Sequence, residues 1–256
     1  MLLEKLIDNL PKEKKKIQVQ GLATNSKKVK KGFIFFAING HKFNGENYIN
    51  NAIKKGANLI ICSTKCKFTH KNIPFIKTPN IRYFLSKVSS KFYKIKPKNI
   101  IAVTGTNGKT SVADLFYQIL SINKVPVASI GTLGIKYKKR LIKSNLTSPD
   151  TILLHQSLEK IKSNKIDNVI IEASSHGLHQ QRLDHLNFNA GIFTNFSQDH
   201  LDYHKTMRSY FKSKMLLFNK ILSEKKKIIS DKTIKEFKNL LKISKSIKLN
   251  LISIHN

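Results

Sequence analysis

The chain has no tryptophan, only three methionines and only two cysteines in 256 residues. Two cysteines exclude a disulfide-stapled scaffold. Cys62 and Cys66 lack the further ligands that a structural zinc site needs. They read as ordinary reduced thiols of a cytoplasmic protein. Long apolar runs are also missing. No stretch approaches the ~20 apolar residues of a membrane-spanning helix. The first ten residues carry Glu4, Lys5 and Asp8 inside their apolar pattern, which excludes a signal peptide. The expected location is cytoplasmic, with no membrane partner.

Acidic residues are scarce as well: 15 against 47 lysines and arginines, for a net charge of +32. Such an excess suggests nucleic acid as a partner. The composition argues otherwise. Lysine supplies nearly all of the charge; arginine occurs only at 82, 140, 182 and 208. The lysines are scattered among many isoleucines and asparagines, as drift toward A/T-rich codons would leave them. A dedicated nucleic-acid surface groups Arg, Lys and aromatics on one element. The chain is therefore not expected to bind nucleic acid, although a basic surface draws anionic substrates in general.

What is present is an alternation of strand and helix, so the expected fold is α/β. Up to about residue 96 it reads as a small N-terminal α/β domain. Strands are expected at 33–38, 57–62 and 73–76, and helices at 48–55 and 83–92. Lys94-Ile95-Lys96-Pro97-Lys98 reads as a linker. Residues 97–256 read as a P-loop-type domain with a mostly parallel sheet, left incomplete. Its expected strands are 100–104, 125–130, 168–171, 191–194 and, as the last, 227–230. Its expected helices are 110–122, 151–163 and 207–222.

The run Ile100-Ile101-Ala102-Val103-Thr104-Gly105-Thr106-Asn107-Gly108-Lys109-Thr110-Ser111 leads a strand through a turn into a helix. Gly105 and Gly108 let backbone N–H groups approach a phosphate. The helix N-terminus and Lys109 add positive charge. Thr110 or Ser111 offers a hydroxyl to Mg²⁺. The common phosphate loop has four residues between its two glycines; here only Thr106 and Asn107 intervene.

Ligands of parallel α/β sheets bind at the carboxyl ends of strands. Glu172 closes one strand and is placed to hold Mg²⁺. Ser174, Ser175, His176, Gln180 and Arg182 follow it, suited to a polyanionic substrate. Asp199-His200-Leu201-Asp202-Tyr203-His204 follows the next strand. One histidine completing a Mg²⁺ or Mn²⁺ shell fits it better than a transition-metal site. Lys214 falls inside the apolar stripe of Met207, Tyr210, Phe211, Met215 and Phe218, and so points inward. It either pairs with a carboxylate or, desolvated, becomes a reactive amine that accepts a modification such as a carbamate.

Together, Thr104-Gly105-Thr106-Asn107-Gly108-Lys109-Thr110, Glu172-Ala173-Ser174-Ser175-His176-Gly177-Leu178, the 194–204 segment and Tyr210 with Lys214 resemble the Mur ligases. These are the ATP-dependent amide-forming enzymes of peptidoglycan precursor synthesis. The Ser-Ser-His-Gly-Leu run, Leu146-Thr147-Ser148-Pro149, Asn25-Ser26-Lys27 and Gly40-His41-Lys42 most resemble the MurE branch, which adds the third residue of the stem peptide. The resemblance implies ATP and Mg²⁺ as cofactors, with ATP on Gly105 to Ser111. It implies catalytic roles for Lys109, Glu172, His200 and Lys214. Metal contacts would come from Thr110, Glu172, His200 and a carbamate on Lys214. Thr147, Ser148, Ser174, Gln180 and Arg182 would hold UDP-MurNAc-L-Ala-D-Glu, with Ser26 and His41 at its uridine. Asn25 stands where the family usually has Asp, and Lys27 where Arg is common. The amine donor would be meso-diaminopimelate or L-lysine.

The family has three domains, and the third binds the incoming amino acid. This sequence ends within the second and has no Asp-Asn-Pro-Arg signature of diaminopimelate use. The expectation is a chain that binds nucleotide but does not ligate on its own. Two alternatives are a ligase like folylpolyglutamate synthase, which shares the loop and the lysine, and a non-catalytic nucleotide-binding module.

Overall fold

The computed structural model describes residues 1–40, 43–138 and 140–254. The chain divides into two compact units, Met1–Lys94 and Ile95–Asn256.

The first unit holds a four-stranded, wholly parallel sheet. Its strands β1 (Gly21–Ala23), β2 (Phe33–Phe36), β3 (Ala57–Ser63) and β4 (Phe75–Thr78) lie side by side in chain order. Helices α1 (Lys12–Lys15), α2 (Ile49–Lys54) and α3 (Ile81–Phe92) accompany them. Phe35, Ala37, Ile49, Ala52, Ile60 and Cys62 form a common core. The strand expected at 73–76 starts instead at Phe75, after Pro74. Proline has no N–H for a ladder but keeps its carbonyl, which accepts from Ile60 N at 3.1 Å. Strand β1 is too short to show a pattern. Gly21 makes it possible, because the Phe33 ring occupies the space a Cβ would need.

The second unit is built on eight strands: β5 (Asn99–Thr104), β6 (Val127–Gly131), β7 (Gly134–Tyr137), β8 (Arg140–Ile142), β9 (Asn168–Glu172), β10 (Ala190–Phe193), β11 (Lys227–Asp231) and β12 (Asn250–Ile254). Their spatial order is β12-β11-β10-β5-β9-β6-β7-β8. All neighbours are parallel except the antiparallel pairs β6–β7 and β7–β8. The helices are α4 (Lys109–Ile122), α5 (Thr151–Ser163), α6 (Ser175–His179), α7 (Leu201–His204), α8 (Met207–Leu216) and α9 (Phe237–Ile247). Asp150 caps α5 through Leu153 N at 3.0 Å, and Thr206 caps α8 through Ser209 N at 3.1 Å. Leu154, Leu158, Val169, Ile171, Phe193 and Phe218 belong to the main core. A thinner core of Val103, Ala113 and Ile170 underlies α4.

Two further local expectations change. The strand at 227–230 is not the last, since α9 and β12 follow. In α9, Phe237, Leu240, Ile243 and Ile247 keep a helical stripe that the interleaved lysines obscure in the sequence. The helix expected over 207–222 changes at Leu217 into a π-helical turn, Leu217–Ile221. The β7–β8 hairpin is too short and charged to read in advance.

Among the described residues, six of those with positive φ are lysines: Lys124, Lys138, Lys165, Lys205, Lys225 and Lys248. Functionally, the decisive feature is strand order. The chain leaves β5 for β6 on one side, and leaves β9 for β10 on the other. The carboxyl ends of β5, β9 and β10 therefore open onto one crevice.

Candidate functional site

The loop after β5 is built by its glycines and held by the segment after β10. Gly105 has φ +147° and Gly108 φ +83°. A Cβ on Gly105 would overlap Thr194 Oγ1. That hydroxyl instead donates to Asn107 O at 2.6 Å. Thr106 N donates to Asn195 O, and Asn107 N to Asn195 Oδ1, both at 2.9 Å. Two segments almost ninety residues apart thus form one rigid cradle.

Helix α4 begins at Lys109 behind Gly108, and no side chain caps it. Its first-turn N–H groups lack the usual partners, so an anion suits the position. Lys109 curls back, and its Nζ donates to Gly105 O at 2.9 Å and Thr106 O at 2.7 Å. Burial holds its pKa below the usual lysine value, partly offset by Glu172 and Asp199. Uncapped helix end, left-handed glycines and a partly desolvated lysine together fit a polyphosphate.

Glu172, only 1% exposed, closes β9 beside this loop. Its Oε2 accepts from Thr110 Oγ1 at 2.9 Å. Its Oε1 accepts from Thr132 N at 2.9 Å. A hydroxyl and a carboxylate so placed are hard oxygen donors of the kind Mg²⁺ takes. Among the described residues, no three His, Cys, Asp or Glu side chains are grouped so as to hold a metal ion.

Of the residues expected to hold a substrate, Ser148, Ser174, Gln180 and Arg182 form one connected chain. Ser148 Oγ donates to Glu172 O at 2.7 Å and lies 3.0 Å from Ser174 Oγ. Arg182 donates to Ser148 O and to Gln180 Oε1, both at 2.7 Å. Gln180 Nε2 donates to Tyr203 Oη at 3.2 Å, and His179 Nδ1 lies 2.9 Å from the same oxygen. Thr147 meets Thr132 at 3.2 Å between hydroxyls. Ser111 sits in the exposed first turn of α4. Thr132 and His179 were not singled out from sequence, and Tyr203 was named only within the 199–204 run. Thr132 had a usable signal: it follows the carboxyl end of a strand, as Glu172 and Thr194 do.

His200 begins α7 in the left-handed region, φ +52°. Its ring stands edge-on to His176 and Tyr210, with centroids 4.9 and 5.9 Å away. Its Nε2 lies 3.4 Å from Asp199 Oδ2. His204 packs among His176, His179, Tyr203 and Tyr210. Burial, then the neighbouring imidazoles, pushes its pKa down to about 4.

Lys214 is 1% exposed, on α8. Its Nζ donates to Gly105 O at 2.6 Å and sits 4.3 Å from the Tyr210 ring centroid. Desolvation first, and the Lys109 charge second, push its pKa down to about 7. Of the two alternatives left by the sequence, the geometry favours the desolvated amine: Nζ meets a carbonyl and a ring. Tyr210, fully buried, donates through Oη to Thr106 Oγ1 at 3.3 Å.

In the first unit, Ser26 is buried at the edge of a cavity of about 410 Å³. Asn25, Lys27, Phe43 and Tyr48 also line it. Asn25 Oδ1 accepts from Lys27 N at 2.9 Å and shapes the turn. His41 and Lys42 lie outside the described residues.

Comparison with known proteins agrees with this geometry. The Mur ligase middle domain matches residues 103–255, more than half of the chain. The Mur ligase family catalytic domain matches residues 18–93. A UDP-N-acetylmuramoyl-L-alanyl-D-glutamate–2,6-diaminopimelate ligase of Aquifex aeolicus is 40% identical over 230 residues, 89% of this chain and 46% of that protein. The ligase of that name from Brucella melitensis is 38% identical over 212 residues, 83% of this chain and 43% of its own. A solved structure of a ligase with that name superposes with a TM-score of 0.85 at 25% identity, over 99% of this chain and 52% of the other. The chain thus spans less than half the length of these two curated relatives.

Proposed function

The chain belongs to the Mur ligase family, and we propose that it binds ATP and UDP-N-acetylmuramoyl-L-alanyl-D-glutamate for amide formation with 2,6-diaminopimelate. The names of its relatives favour that amine over L-lysine. The observation that carries the reading is the bond from Thr110, in the first turn after the phosphate loop, to Glu172 at the end of the neighbouring strand. It unites an anion cradle with a buried carboxylate, as a nucleotide–metal site requires.

In this reading the γ-phosphoryl group of ATP passes to the D-glutamate γ-carboxylate. The amine then attacks the acyl phosphate, its nitrogen forms the amide bond, and phosphate leaves. Lys109 and the α4 N-terminus offset charge on the phosphoryl oxygens. Arg182, which donates to Ser148 O and Gln180 Oε1, would grip a substrate carboxylate. Mg²⁺, held by Thr110, Glu172, His200 and a carbamate on Lys214, would neutralise phosphate charge. Lys214 suits carbamylation because a desolvated amine near neutral pKa is nucleophilic. Ser26 and its cavity would receive the uridine end. The reaction belongs in the cytoplasm, and no helix among the described residues is long and apolar enough to cross a membrane.

Isothermal titration with Mg·ADP tests the reading. The expected result is saturable binding that weakens about 10- to 100-fold in Lys109→Ala, the worth of a charged hydrogen bond to phosphate. Unchanged affinity in that variant refutes the loop assignment.

A further inference from the structure

We propose that Thr132, just past β6, is a positioning residue that aims the Glu172 carboxylate and couples the nucleotide site to Thr147. The inference rests on the nucleotide–metal reading above.

The geometry is specific. Thr132 engages both oxygens of Glu172: its N–H donates to Oε1 at 2.9 Å, and its hydroxyl reaches Oε2 at 3.1 Å. Such a two-point grip fixes the plane of the carboxylate. Thr110 then reaches Oε2 from the phosphate-loop side. Gly131, the preceding residue, completes the arrangement by absence. A Cβ there would overlap Glu172 Oε1, so only glycine lets the carboxylate lie against the end of β6.

Proton counting gives the grip a competitor. A threonine hydroxyl has one proton, and an ionised carboxylate only accepts. The Thr132 hydroxyl is set to give that proton to Glu172 Oε2 at 3.1 Å or to Thr147 Oγ1 at 3.2 Å, so the two acceptors share it. Thr147 thus competes with Glu172 for the Thr132 proton. Thr147 precedes Ser148, which is tied to Ser174 and Arg182. A ligand that engages the Thr147 hydroxyl therefore changes how fully Glu172 receives that proton and alters the carboxylate beside the phosphates. Groups that orient a metal-binding carboxylate are worth about 10- to 100-fold in metal affinity.

The test is ADP titration of the full chain, with Mg²⁺ and with EDTA, for wild type, Thr132→Val and Thr132→Ser. Valine keeps the shape and the N–H but removes the hydroxyl. The expected result is strong tightening of ADP by Mg²⁺ in wild type, cut about 10- to 100-fold in Thr132→Val and restored in Thr132→Ser. Binding of ADP in EDTA should be equal in all three, which a merely structural defect would not allow. Equal Mg²⁺ tightening in wild type and Thr132→Val overturns the inference and leaves the nucleotide reading standing. Absence of ADP binding, or of Mg²⁺ tightening, in wild type overturns both. A Thr132→Val chain that loses ADP binding in EDTA as well also overturns the positioning role.

Discussion

Lys109 and Lys214 converge on one atom, the carbonyl oxygen of Gly105, at 2.9 and 2.6 Å. Two amines on one acceptor are tolerable only where at least one is neutral or an anion lies close by. The pKa of Lys214 near 7 is one relief, and a bound phosphate or carbamate is another.

That convergence gives Lys214 a signed pH dependence. In the fold it loses its proton near pH 7, and unfolded near the usual 10.5. Between these values the unfolded chain binds more protons, so this residue's contribution to stability rises with pH through that window. Below pH 7 the burial penalty is fully present. Lys214→Met should therefore raise the melting temperature most near pH 6, with a gain that shrinks toward pH 10. Scanning fluorimetry in bicarbonate-free buffer measures it; a gain constant with pH contradicts the argument.

His155 makes the same point in the core. It is fully buried, and neither ring nitrogen has a partner. Burial, then the charges of Lys96 and His185, pushes its pKa down to about 3. The neutral ring is compatible with the fold above the unfolded value of about 6.5, and stability is lost as pH falls from there toward 3. His155→Leu should gain about 1–3 kcal/mol at pH 7.5 and flatten the acid limb. Urea titrations at pH 5 and pH 7.5 report both effects.

Gly105→Ala places a Cβ against Thr194 Oγ1 on a backbone with φ +147°. Strain and overlap together should cost at least about 2 kcal/mol. Urea denaturation would show it as a lower midpoint with an unchanged slope.

Tyr210 does two separable things: its hydroxyl meets Thr106 and its ring faces Lys214. Tyr210→Phe should cost about 1 kcal/mol, because Thr106 still accepts from Ser197 N at 3.0 Å. Tyr210→Leu also removes the aromatic face and should cost more. Equal losses by chemical denaturation would mean the ring contributes nothing beyond its volume.

The legible parts of this protein are those whose cause is local. Gly105 and Gly108 announce a turn, and the apolar stripe around Lys214 announces an inward lysine. Thr132 is different: its partners are Glu172, forty residues on, and Thr147, and only strand order brings them together. The His179–Tyr203 contact likewise joins two short helices that sequence periodicity cannot resolve. The π-helical turn at Leu217–Ile221 keeps an apolar pattern close enough to an α-helix to hide the change.

The left-handed lysines bear on how much robustness the chain has to spare. Lys124, Lys138, Lys165, Lys205, Lys225 and Lys248 hold positions where glycine or asparagine costs less. Each adds on the order of 1 kcal/mol of backbone strain, against the ~5–15 kcal/mol net stability of an ordinary domain. Backbone strain at these turns is therefore a sizeable share of the net stability. It also marks where a gain is simplest: glycine at Lys124, Lys138, Lys165, Lys225 and Lys248 would widen the thermal margin, whereas Lys205 adjoins the α7 residues of the site.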